Sequence, residues 1–116
     1  MKFSALVLSA ALAALPLSVG AHTALTGSVP ESGAILEQSP PSIALTFASP
    51  VRLTQIRDVN GSKSKRLPFA PTGKSDSFTV QAPNLPAGRN ELRWKALSED
   101  GHVMEGTILV VIRPHS

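Results

Sequence analysis

Two separate places in this chain carry residue types that can bind a metal ion: His22 near the start, and Asp100 with His102 toward the end. His22 owes its interest to what precedes it. Residues 1–21 carry a positive charge at Lys2, an apolar alanine-rich run over 3–17, and Val19-Gly20-Ala21, a small-residue cut site. That is the pattern of an export signal. Cleavage after Ala21 makes His22 the first residue of the mature chain and gives it a free α-amine. The amine and the imidazole Nδ1 of the same residue can close one chelate ring. A free α-amine titrates near pH 7.7–8.0, so a strong Lewis acid displaces its proton at neutral pH. Nitrogen-rich donors favour Cu(II) over the other common divalent ions, and a tetragonal arrangement suits it further.

The second group is Ser98-Glu99-Asp100-Gly101-His102. In extended backbone, Asp100 and His102 leave the chain on the same face. Gly101 between them allows a close bend around an ion. A carboxylate oxygen and an imidazole nitrogen would complete four equatorial donors with the two from His22. The same five residues also read as an ordinary polar turn, with Asp100 bonding backbone amides. The third histidine of the mature chain, His115, follows Pro114 near the C-terminus and is expected in solvent.

The elements that must position these groups read as strands. Apolar and polar residues alternate over 42–47, with Ile43, Leu45 and Phe47 on one face. A second candidate, 53–59, is stopped by the turn dipeptide Asn60-Gly61. Others are 77–80, then 91–97 with Leu92, Trp94 and Ala96 on one face, and the β-branched 107–112. With 23–29 at the start and 65–69, the count approaches seven. No stretch has sustained helical periodicity, and the 10 prolines and 8 glycines fall mostly between the strand candidates. An all-β antiparallel sandwich or Greek-key barrel is expected.

Composition narrows the function. At 116 residues the chain has room for one domain. The apolar run at the start is shorter than the roughly 20 residues of a membrane span, and no second one follows. The mature protein is therefore expected to be soluble and not membrane-embedded. The chain has no cysteine, which removes disulfides and the soft thiolates that favour Cu(I) or structural zinc. Net charge is +3, with basic residues spread out except Lys63, Lys65 and Arg66, which read as a solvated loop. With no tyrosine and a single tryptophan, the chain lacks stacking surfaces, and nucleic acid is not an expected partner.

The mature chain resembles the CopC family of periplasmic copper-binding, copper-resistance proteins nearly end to end. The likeness rests on His22-Thr23-Ala24-Leu25, the segment from Ser28 to Ala34, Leu45-Thr46-Phe47 and Pro50-Val51. It continues through Leu85-Pro86-Ala87-Gly88, Arg93-Trp94, Ser98-Glu99-Asp100-Gly101-His102 and Gly106-Thr107. The resemblance implies a seven-stranded Greek-key β-barrel, close to an immunoglobulin-like sandwich, over residues 22–116. It implies one Cu(II) per mature chain, held by His22 through amine and imidazole and by Asp100 and His102. It also implies that Trp94 lies near enough to report on the metal.

The implied setting is the periplasm, in copper resistance and homeostasis. The implied role is to sequester copper or deliver it to a CopD-like inner-membrane transporter. Two departures bear on the oxidation state. Many members carry a methionine-rich Cu(I) segment, whereas the mature chain has only Met104. Many carry a glutamate where Ala48-Ser49 stands. The chain thus resembles the Cu(II)-only branch.

A binding protein rather than an enzyme is expected. The alternative from another class is a histidine-brace copper oxidase. Such a site needs an open coordination position, which Asp100 would fill.

Overall fold

The computed structural model describes residues 25–115. The export signal, its cut site and His22 lie outside the described residues. Among the described residues there are seven strands and no helix: β1 (Leu25–Val29), β2 (Ala34–Leu36), β3 (Ser42–Asn60), β4 (Lys63–Arg66), β5 (Lys74–Gln81), β6 (Gly88–Leu97) and β7 (Val103–Ile112). The all-β sandwich expected from the alternation is what the chain forms.

The membership of the seven differs from the expectation in three places. The candidates 42–47 and 53–59 are two halves of one strand, β3, which runs through Ser49-Pro50. A proline is tolerated there because β3 is irregular between Thr46 and Val51. Ala34–Leu36, too short to show alternation, pairs in parallel with the end of β7. Lys63–Arg66 is not a loop. It is an exposed strand that turns back on β3 through Asn60-Gly61, with Gly61 at φ 60°.

β3 organises the molecule by serving both layers. Its first half pairs with β1 on one flank and β5 on the other; Thr46 faces Gly27 and Ser77. Its second half pairs with β6 on the flank vacated by β1, and with β4 at its end. β7 then pairs with β6 over ten consecutive positions, Gly88–Ile112 to Leu97–Val103. The irregularity between Thr46 and Val51 swings β3 from one layer to the other, the corner by which strands change sheets.

The core lies between the layers. Ile43, Leu45, Phe47, Phe78 and Val80 come from one side, and Ile56, Leu92, Trp94, Ile108 and Val110 from the other. The ring of Trp94 meets Phe47 edge-on at 5.3 Å, and Phe47 meets Phe78 at 5.9 Å. This aromatic chain, favoured in edge-to-face geometry, ties the layers together beside the start of β1, where Leu25 stands opposite Phe47.

Candidate functional site

Asp100 and His102 sit in the turn that joins β6 to β7. Backbone bonds close it at both levels: Gly101 N–H donates to Ser98 O at 3.0 Å, and Ser98 N–H donates to His102 O at 2.9 Å. Gly101 has φ 87°, which a side chain would strain. This is the three-residue hairpin loop in which a turn is followed by a left-handed glycine and a bulge. The two site residues are therefore not two apart on an extended strand. The turn, rather than strand alternation, aims both side chains to the same side, and His102 Nδ1 comes 3.6 Å from Asp100 Oδ2.

Both side chains are well exposed, at 81% for His102 and 70% for Asp100. Their donor atoms are thus open to an ion arriving from solvent.

Ser98 is the residue that the sequence reading passed over. Its hydroxyl donates to Asp100 Oδ1, and Ser98 Oγ itself accepts the backbone N–H of His102 at 3.0 Å. One small side chain thereby fixes the carboxylate and the histidine backbone together. The Ser98 hydrogen bond, helped by the nearby His102, holds the Asp100 carboxyl below its usual range. A carboxylate kept ionised is the form that binds a cation. A hydroxyl two residues before Asp in a Ser-x-Asp-Gly turn was the available signal. Glu99 points elsewhere, to Lys74 of β5 at 3.4 Å, and anchors the turn to the neighbouring strand.

Other expected contributors lie apart. His115 is 83% exposed, pairs loosely with Glu37 at 3.6 Å, and stands beyond the far end of β7 from His102. Met104 is half-buried and packs against the core, as a gap-filling methionine does. Ala48 and Ser49 are exposed at the bend of β3. Among the described residues, no three histidine or acidic side chains converge on one point. Among the described residues no helix is long and apolar enough to cross a membrane.

The end of β1 bears on completion of the site. β1 and β6 occupy the same flank of β3, one after the other, and β1 begins at Leu25 with its upstream end directed toward the 98–102 turn. Gly27 is level with Ser77 of β5 through Thr46, and Leu97 is level with Lys74 through Arg52. Three residues of strand separate those levels, about 10 Å at strand spacing.

Comparison with known proteins points one way. The CopC domain family model matches residues 25–111. Among solved structures, CopC from Methylosinus trichosporium OB3b superposes with a TM-score of 0.67 at 25% identity, over 82% of this chain and 97% of that one. PcoC, a methionine-rich copper resistance protein from Escherichia coli, superposes at 0.57 with 24% identity, over 80% and 100%. The selenomethionine form of PcoC gives 0.57 at 22% identity, over 77% and 98%. At the identities of the two PcoC structures, the likeness speaks for the fold alone. Among curated proteins there is no match.

Proposed function

The chain belongs to the CopC family, and from that premise we propose that it is an exported copper-resistance protein that binds one Cu(II) per mature chain. In this reading residues 1–21 are the signal, residues 22–116 the mature domain, and the periplasm its compartment. The ligands are the amine and imidazole of His22, an oxygen of Asp100 and an imidazole nitrogen of His102. The protein is a carrier or buffer rather than an enzyme, and a CopD-like inner-membrane transporter would be its recipient.

The observation that supports this most is the turn itself. A ready carboxylate and an imidazole stand 3.6 Å apart on an exposed hairpin. The start of β1 points toward that hairpin along the same flank of β3. His22 is three residue steps upstream of Leu25, and an extended chain spans up to about 3.3–3.6 Å per residue. The donor set of imidazole, amine and carboxylate suits Cu(II), and Met104, half-buried in the core, supplies no thioether cluster for Cu(I).

Titration of the purified mature protein with Cu(II), followed by electron paramagnetic resonance, tests the reading. It expects one equivalent bound, hyperfine structure from several coordinated nitrogens, and loss of the copper when a Cu(I) chelator and reductant are added. Retention of Cu(I) against the chelator would contradict the Cu(II)-only assignment.

A further inference from the structure

The outward face of the second layer carries three arginines in one row. Arg57 of β3 stands directly opposite Arg66 of β4 on one side and Arg93 of β6 on the other, and the row continues to Thr107 of β7. Paired positions of antiparallel strands share a face at about 5 Å, where like charges oppose each other unfavourably. Lys95 lies in the adjacent row beside Gln55.

Acidic residues offset this only in part, through Glu91 beside Arg93 and Glu105 across from Lys95. All eight acidic residues of the chain lie within the described part. Glu91 bonds Arg93 at 2.7 Å and Arg89 at 3.5 Å, but among the described residues no carboxylate lies within ion-pair distance of Arg57 or Arg66. Neutral groups orient those two guanidiniums instead. Arg57 Nε donates to Ser64 Oγ at 3.0 Å, and Arg66 donates to Gln55 Oε1 at 3.3 Å. Their direction is fixed while their charge is left available. A groove of about 560 Å³ runs across the face over Arg57, Arg93, Lys95 and Thr107, with Glu105 the one acidic residue lining it.

We propose that this face is a docking surface for an acidic polypeptide segment of a partner protein, gripped by the Arg66–Arg57–Arg93 row. The planar guanidinium fork matches a carboxylate in two-point contact, and holding it in place beforehand lowers the entropy lost on binding. The row spans three strands, about 10 Å, which is more than one small ion can bridge and leaves room for two same-side carboxylates about 7 Å apart on an extended peptide. Nucleic acid fits poorly, because the large aromatic nearest the face, Trp94, is buried and offers no base a stacking platform. The face begins two residue pairs from the β6–β7 turn, at Lys95–Glu105, so a docked partner would stand beside that turn. The inference does not depend on metal occupancy.

Fluorescence anisotropy with a labelled octaglutamate peptide at low salt tests it. The protein should bind the peptide saturably, and added salt should weaken binding. The double variant Arg57→Gln/Arg66→Gln should bind about tenfold more weakly. Lys63→Gln/Arg113→Gln removes the same charge from other surfaces and should change binding less than about twofold. Unchanged Trp94 emission in both variants certifies the fold. Equal weakening in the two double variants, absence of peptide binding, or stronger displacement by inorganic polyphosphate than by unlabelled peptide at equal charge would each overturn the proposal.

Discussion

Gly106 lies against the indole of Trp94: a Cβ at position 106 would stand 2.7 Å from Cζ2 and 2.9 Å from Nε1 of that ring. The two residues face each other across β6 and β7 on the core side. Trp94 is in turn held edge-on by Phe47 and is 2% exposed, so the ring has nowhere to retreat. Space, not backbone freedom, requires the glycine. Gly106→Ala should therefore destabilise the fold by about 1–3 kcal/mol, the usual cost of overpacking. Urea unfolding followed by Trp94 emission measures it, with Thr107→Ala on the outer face as a near-neutral control.

The turn at 98–102 gives a prediction of a different kind. Ser98→Ala removes the hydroxyl that joins Asp100 to the His102 backbone. Orienting groups behind metal ligands commonly contribute tenfold or more to affinity. Cu(II) should bind about tenfold more weakly to the variant, while its unfolding midpoint moves little because the residue is outside the core. An affinity equal to wild type would show that the turn holds its shape without Ser98.

Trp94 should report the copper. Its ring touches Phe47, which is level with Leu25 at the start of β1, and the β6 strand that bears it runs into the 98–102 turn four residues later. Along the strand that is about 13 Å, a distance at which a paramagnetic ion quenches an excited indole. Stoichiometric Cu(II) should lower the emission. Unchanged emission on binding would place the metal at another end of the sandwich.

Asp58 carries the clearest pH prediction. It is 2% exposed in the core-facing row, and its Oδ1 has no hydrogen-bond partner among the described residues. Burial raises its pKa, and Lys65 directly across on β4 lowers it only in part. An acid whose folded pKa is raised favours the folded state most at low pH, and that contribution is lost as pH rises through the folded value. Asp58→Asn, which removes the charge, should raise the unfolding midpoint at neutral pH. The gain should close as pH falls below the ordinary carboxylate range. Thermal unfolding across pH 3–7 checks both parts, and a gain that persisted at the acid end would show that ionisation is not the cause.

How far the sequence foretold this structure depended on whether the deciding interaction was local. Alternation placed Ile43, Leu45, Phe47, Leu92 and Trp94 in the core because strand geometry makes period two legible over a few residues. It could not show that Pro50 lies inside β3, since the tolerance comes from an irregular pairing with β5, distant in sequence. β2 was invisible because three residues carry no period and its partner, the end of β7, is more than seventy residues away. At the site, residue types singled out Asp100 and His102, but an extended backbone was the wrong reason for their proximity. The local signal for the actual turn was present in Gly101 and Ser98. The arginine row needed the register of three strands, which no local pattern encodes.

The central claim is that His22 binds through its own amine, and Cu(II) titration calorimetry on two forms of the protein tests it most directly. One form begins at His22 and the other retains Ala21. An added residue turns a basic amine into an amide, a poor nitrogen donor at neutral pH, and removes one ligand together with its chelate ring. The account predicts that the extended form binds far more weakly, with a loss greater than that of His115→Ala and comparable in severity to His102→Ala. Equal affinity of the two forms would contradict it.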